Sequence, residues 1–290
     1  MDRQLSDISS GRLYIVSTPI GNVEDITLRA IRILGEVDLI AAEDTRHTAR
    51  LLAYHHINTA LISCHDYNER ERAAGLIEKM KQGASVALVS DAGTPSVSDP
   101  GYVLVREAIA SGISAIPIPG VSAAITALSV SGLPTDAFVF IGFLSKQKTK
   151  RSGQIESLKR EEKTVIIYES PHRVVALIEE ILNIAGDRQA AFAREMTKTY
   201  EEFIRGRLSE ILEKLKARAA IKGECVLIVG GCDKESSGVS PELITQEIQT
   251  RLRSGERVSE ISKDISKQYA LPKKLIYEEA LTLQNRNGAN

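Results

Sequence analysis

SVALVSDAGTPSVSDPG, residues 85–101, joins an apolar β-branched run to a loop with two glycines, two prolines and two aspartates. Val86, Leu88 and Val89 form the sort of continuous apolar stretch that a parallel strand buried on both faces needs. Gly93 and Gly101 permit positive φ and close backbone approach, Pro95 and Pro100 stiffen the loop, and Asp91 offers a carboxylate. Asp91 and Asp99 also suit the simpler role of Asx-turn residues.

The same grammar repeats outward from this segment. RLYIVST (12–18), VDLIAAE (37–43) and ISAIPI (113–118) are further buried strands, with helical spacing between them at Leu28, Ile31 and Leu34 and at Leu76, Ile77 and Met80. Strand and helix in alternation predict an α/β unit, with a mainly parallel sheet covered on both faces. A helix over 121–131 closes it. LPTDA (133–137) reads as a linker, and a second strand series follows: FVFIGF (138–143), TVIIYE (164–169), QAAFARE (189–195), YEEFIRG (200–206) and ECVLIVG (224–230). Helices are expected over His172–Ala185, after Pro171, and over Leu208–Ala217. CDKESSG (232–238) turns polar, and 240–283 reads as three helices. Val258, Ile261, Ile265, Leu271, Leu275 and Ile276 are their expected core, with a helix-turn-helix-like break at Tyr269–Pro272. The expected organisation is a flexible tail over 1–11, α/β domains over 12–133 and 134–232, and a helical appendage over 233–290.

Composition narrows the function. The 290 residues are 43% hydrophobic and 26% charged, enough for large cores without disulfides. The three cysteines, Cys64, Cys225 and Cys232, form no C-x-x-C pair. Thirty-seven basic against thirty-eight acidic side chains exclude a generically basic nucleic-acid binder, though not a local patch. Lys146–Lys163 is such a patch, with seven basic and three acidic residues beginning at a strand end. A polar N-terminus without an apolar signal core, and Pro117, Pro119 and Gly120 interrupting the uncharged stretch 108–135, lead to an expected cytoplasmic protein without a membrane span. No Cys/His quartet or H-E-x-x-H is present, so no metal is implied.

Loops at the carboxyl ends of strands are where open α/β sheets bind ligands. Three stand out: STPIGN (17–22), SDAGTPSVSDPG (90–101) and PIPGVSAA (117–124). Neither G-x-G-x-x-G nor G-x-x-x-x-G-K-[ST] occurs in them, so nucleotide phosphate capture has no support. Ser122 reads either as a helix N-cap or, in GVSAA, as a near match to a nucleophile elbow with Asp136 and His172 as partners. Ala124 stands where that elbow needs its second glycine, which disfavours the hydrolase. AAEDTRHT, YESPHR and REMTKTYEE place further carboxylates and cations at strand ends of both halves.

LYIVSTPIGNVEDITLRA, AAEDTRHT, SDAGTPSVSDPG, IPGVSA, YESPHR, REMTKTYEE and GECVLIVGG occur in that order over about 12–232. Together they resemble the tetrapyrrole-methylase-fold methyltransferases, most closely the branch of ribosomal RNA small subunit methyltransferase I. The resemblance implies a homodimer of two-domain α/β chains with S-adenosylmethionine in the interdomain cleft. It also implies 2′-O-methylation of a cytidine ribose in the decoding region of 16S rRNA. Cofactor contacts would fall on Thr18, Pro19, Asp91, Gly93, Thr94, Ser122, Ala123 and Tyr168, and on backbone near Ala193 and Glu224. A ribose hydroxyl is a weak acid, so Asp44 and Glu195 are candidate bases, with Arg46, Arg194 and Lys198 as candidate electrostatic or phosphate ligands. Lys146, Lys148, Lys150, Arg151, Arg173 and Arg194 are the candidate RNA contacts. A corrinoid or other small-molecule methylase and a non-catalytic RNA-binding module are the competing classes.

Overall fold

The computed structural model describes residues 11–232, 241–269 and 271–287. Two compact units divide the chain, 1–231 and 232–290. Of the tail expected over 1–11, only Gly11 lies among the described residues. It is buried, and its N–H bonds the Met80 carbonyl at 2.7 Å.

The first lobe of the larger unit runs β1 (Arg12–Val16), α1 (Leu28–Glu36), β2 (Leu39–Ala42), α2 (Thr45–Tyr54), β3 (Leu61–Ser63), α3 (Glu69–Lys81), β4 (Val86–Val89), α4 (Tyr102–Ala110), β5 (Ser114–Ile118) and α5 (Ala123–Ser129). Its strands form one parallel five-stranded sheet in the order β3-β2-β4-β1-β5. Leu13, Leu76, Met80, Leu88 and Leu104 pack on one face, under α3 and α4. Val16, Ile33, Leu34, Ile40, Leu52 and Val89 pack on the other, under α1 and α2. β1 and β4 are neighbours whose connections leave in opposite directions, to β2 and to β5. The crevice that such a reversal opens lies at their carboxyl ends, where 17–22 and 90–101 emerge.

The second lobe comprises β6 (Phe138–Phe143), α6 (Lys148–Leu158), β7 (Thr164–Glu169), α7 (Val174–Ala185), β8 (Gln189–Arg194), β9 (Glu202–Arg207), α8 (Leu208–Lys216) and β10 (Cys225–Val229). Its sheet, β6-β7-β10-β8-β9, is mixed: only β6 and β7 are parallel. Successive residues of a strand face opposite sides, and both sides are used here. Val165, Ile167 and Leu227 join the core beneath α6, α7 and α8. Ile166, Val226, Ile228, Ala191 and Ala193 face the other way, onto Ala124, Ala127 and Leu128 of α5 and Ile20 of the first loop. This apolar seam joins the two lobes. At the β6 bulge, Gly142 takes φ +71°, and a Cβ there would fall 2.6 Å from the Ser98 hydroxyl. A strand glycine at a bulge thus lets the second lobe meet the 90–101 loop.

The smaller unit is α9 (Pro241–Arg253), α10 (Val258–Tyr269) and α11 (Lys273–Asn287) around Ile244, Ile248, Val258, Ile261, Ile265, Ile276, Ala280 and Leu283. Leu275, expected in this core, is instead 60% exposed. The helix from Lys273 turns Ile276, Ala280 and Leu283 inward at spacings of four and three, which leaves position 275 on the outer face.

Glu69, at the start of α3, is buried, and its carboxylate accepts the Val103 and Leu104 N–H groups at 2.8 and 3.1 Å, in the first turn of α4. Glu69→Ala leaves both donors without an acceptor, a loss of about 1–3 kcal/mol. That corresponds to a fall of very roughly 2–10 °C in melting temperature. Glu69→Gln keeps an acceptor oxygen and is expected to lose less. Thermal unfolding of the two variants checks this.

Candidate active site between the two lobes

The three loops singled out in the sequence are bonded to one another at the strand ends of the first sheet. Thr18 and Gly93 exchange both backbone hydrogen bonds, at 2.9 and 3.0 Å, and the Thr18 hydroxyl donates to the Ser90 carbonyl at 3.0 Å. Ser17 and Thr94 hydroxyls meet at 3.0 Å, and that of Thr94 donates to the Val121 carbonyl at 3.1 Å. A side chain at Gly120 would collide with Ser17 Cβ at 2.7 Å, so the third loop closes onto the first only without one.

Between these loops and the strand ends of the second sheet lies a cavity of about 330 Å³. The first lobe lines it with Ile20, Ala92, Gly93, Thr94, Val97, Ser98, Asp99, Ser122 and Ala123. The second contributes Phe143, Tyr168, Glu169, Ser170, Pro171, Gly223, Glu224, Cys225 and Val226. The size and the mix, apolar walls with a few convergent polar groups, are those of a small-molecule site. Ser122 occupies the N-cap position of α5 but makes no capping bond. The Tyr168 hydroxyl takes that role from the other lobe, accepting the Ala124 N–H at 3.0 Å. Burial, partly opposed by the bonds to Ala124 and Ser122, pushes the Tyr168 hydroxyl above its ordinary range.

Of the expected cofactor residues, Gly93, Thr94, Ser122, Ala123, Tyr168 and Glu224 line the cavity. Thr18 and Ala193 are buried beside it, Thr18 tying two loops and Ala193 in the seam. Pro19, half-buried, precedes the lining residue Ile20. Asp91 sits behind the lining, accepting the Asp44 N–H at 3.0 Å and donating its own N–H to Glu43 at 3.3 Å. Asp99, read from sequence as a possible turn residue, is the first-lobe carboxyl that reaches the cavity. Burial and the negative charge of Glu43, with smaller effects of Asp91 and Asp66, push it up to about 7 against a bond from Ser90. Burial likewise raises Glu43. Gly223 and Cys225 flank Glu224, where backbone contacts are expected, and Phe143 lines the cavity without a signal in the sequence.

Asp44 caps α2 through the Arg46 N–H at 2.8 Å and pairs with the Arg46 guanidinium at 2.7 Å. Those bonds hold its carboxyl well below the usual carboxylate range. Across the cleft, Lys198 bridges Glu195 at 3.0 Å and Glu224 at 2.8 Å, and Glu195 also accepts the Glu224 N–H at 3.0 Å. Burial acts against the Glu195 anion, but these bonds outweigh it and keep the carboxyl low. A Cβ on Gly223 would strike the Glu195 carboxylate, and Thr197 accepts the Asn22 N–H at 3.0 Å, so this loop grips the first lobe. Ser96, Ser98, Glu195 and Thr197, four of the five non-glycine residues with positive φ among those described, lie in the 90–101 and 195–198 loops. Such strain is held only where surrounding structure over-determines it, commonly at functional sites.

Among the expected RNA contacts, Lys146, Lys148 and Lys150 are exposed at and just before α6. Arg151 is bidentate to Glu180 at 2.8 and 2.6 Å, Arg173 pairs with Glu169 at 2.7 Å, and Arg194 pairs with Glu202 at 3.2 Å. Asp136 and His172, the partners a serine hydrolase would need, do not line the cavity. Among the described residues, no group of His, Cys, Asp and Glu has a metal-holding arrangement, and no helix is long and apolar enough to cross a membrane.

Asp99 gives a pH test. Its folded value, about 7, lies above the ordinary 3.8, so its contribution to stability is complete below about pH 4 and is lost as pH rises through 7. Asp99→Asn removes that loss. The variant is expected to melt above the parent at about pH 8, with the gap closing towards pH 4; equal gaps at both would contradict the assignment.

The description Tetrapyrrole (Corrin/Porphyrin) Methylases fits residues 12–212. A Halalkalibacterium halodurans protein named ribosomal RNA small subunit methyltransferase I is 47% identical over 92% of this chain and 93% of its own length. A Synechocystis protein of the same name is 43% identical over 94% and 99%. Among solved structures, the methyltransferase CobJ superposes with a TM-score of 0.59 at 21% identity, covering 77% of this chain and 95% of that one. A Thermus thermophilus uroporphyrin-III C-methyl transferase complexed with S-adenyl homocysteine gives 0.55 at 21%, covering 76% and 97%. With the family description fitting 12–212 and a relative 47% identical over 92% of its length, the chain belongs to the tetrapyrrole methylase family, in the branch named ribosomal RNA small subunit methyltransferase I.

Proposed function

We propose that this chain transfers a methyl group from S-adenosylmethionine to the 2′-hydroxyl of a cytidine ribose in the decoding region of 16S rRNA, as a cytoplasmic homodimer. The observation that carries the reading is the identity of 47% over 92% of the chain to a protein named for small-subunit rRNA methylation. The cavity supports the donor. Ile20, Val97, Phe143, Tyr168 and Val226 offer apolar walls to a flat heterocycle, and the backbone of Gly93, Thr94, Ser122 and Ala123 offers close polar groups. Bound there, the donor supplies an electrophilic methyl carbon.

The chain's own part is to position the acceptor and exclude water. Orientation of two reactants is worth as much as ~7–11 kcal/mol. Asp44 and Glu195 are both held as low anions in ion pairs, which makes them weak bases. Proximity therefore takes the larger share, with Glu195, Lys198 and Glu224 shaping the cleft rim and the Arg46 guanidinium, 86% exposed, paired with Asp44. Lys146, Lys148 and Lys150 are the phosphate contacts of the proposal. Arg151, Arg173 and Arg194 are instead held in ion pairs with Glu180, Glu169 and Glu202.

Radiolabelled donor and small ribosomal subunits lacking the modification test the reading: label is expected on a cytidine 2′-oxygen, and absence of transfer contradicts it. Replacing Lys146, Lys148 and Lys150 together by alanine should leave donor affinity unchanged. The slope of log affinity for RNA against log salt should fall by about 2, at roughly 0.7 per lost phosphate contact.

A further inference from the structure

Four carboxyl groups converge behind one wall of the cavity from three strand ends of the first sheet. Glu43 follows β2, Asp66 follows β3, and Asp91 and Asp99 follow β4. Among the described residues none of the four makes an ion pair. Arg46, which feels the Asp91 charge, is committed to Asp44. Lys198 is committed to Glu195 and Glu224, and Arg173 to Glu169. Facing Asp99 from the second lobe is the neutral Tyr168 hydroxyl. The wall is thus a negative field without a resident counter-charge, and Asp99 is the member that lines the cavity.

Resting on the reading of the cavity as a methyl-donor site, we propose that Asp99 is the residue that distinguishes the sulfonium donor from its thioether product. The two ligands share an ammonium and a carboxylate and differ in one positive charge at sulfur. A carboxylate in a partly buried cavity favours the charged ligand by Coulomb attraction that water screens little. Loss of that charge on methyl transfer weakens the attraction, which helps the product leave. Burial of Asp99, with the added field of Glu43, Asp91 and Asp66, makes the effect switchable. It keeps the Asp99 carboxyl near 7 when no cation is bound, and a bound cation draws it down, so donor binding releases a proton. The sign follows: affinity for the donor rises as pH increases through about 7, and affinity for the product stays nearly level.

Calorimetric titration of the full chain with S-adenosylmethionine and with S-adenosylhomocysteine, at about pH 6 and pH 8, tests this. The expected result is a roughly five- to tenfold gain in donor affinity over that interval, with proton uptake by the buffer. The product should change less than about twofold. In Asp99→Asn the donor's pH dependence and its advantage over product are both expected to vanish, and in Asp99→Glu part of each should return. If donor and product follow pH alike, Asp99 serves the shared ammonium and the proposal is overturned; a charge preference unaltered in Asp99→Asn also overturns it. Failure of both ligands to bind at either pH overturns the donor site itself, a different result from equal binding of the two. Should the variants not fold, the two pH profiles of the unaltered chain decide the matter.

Discussion

One pair of backbone hydrogen bonds outside the sheet, between Thr18 and Gly93, sets the geometry of the cleft. It continues the β1–β4 neighbourhood beyond the strand ends, where a parallel sheet would ordinarily let its loops diverge. With Gly93 held at φ +82°, the chain turns back over the crevice, carrying Val97, Ser98 and Asp99 to its wall. The strained φ of Ser96 and Ser98 and the Gly142 bulge opposite both follow from that return. The apolar seam of α5 against β7 and β10 then places the second lobe, and the Tyr168 hydroxyl on the Ala124 N–H fixes the end of α5.

The two sides of the cleft differ in electrostatics for reasons that lie in topology. In the first lobe, parallel strands all deliver their carboxyl ends to one edge, so Glu43, Asp66, Asp91 and Asp99, which follow β2, β3 and β4, accumulate there without an ion pair among the described residues. In the second lobe, antiparallel pairing brings the loop after β8 to the loop before β10. Lys198 can therefore settle between Glu195 and Glu224, twenty-six residues on. Under the proposed function, the unpaired side meets a cationic donor and the basic run before and within α6 meets phosphates.

Much of this was legible in sequence because it is local. Buried strands announce themselves as β-branched runs, and the loops between them as glycine, proline and aspartate at turns, which is why 17–22, 90–101 and 117–124 could be named together. What escaped depends on pairings distant in sequence. Asp99 in isolation is an ordinary turn aspartate; its perturbed carboxyl comes from its burial in the fold and from Glu43 and, more weakly, Asp66, more than thirty residues away. Arg151, Arg173 and Arg194 belong to the same basic pattern as the exposed lysines, and only the fold shows Glu180, Glu169 and Glu202 against them. Leu275 was assigned inward because a short helix with apolar residues at 275, 276 and 280 fits two faces, and only packing on α9 and α10 selects one.

The claim beneath these arguments is that the cavity between the 90–101 loop and the ends of β7 and β10 is where a methyl donor sits. A crystal structure of the chain grown with S-adenosylhomocysteine tests it most directly. The account predicts ligand density against Gly93, Thr94, Ala123 and Tyr168, with Asp99 facing the sulfur. Density for the ligand anywhere else, with that cavity filled only by solvent, would contradict it.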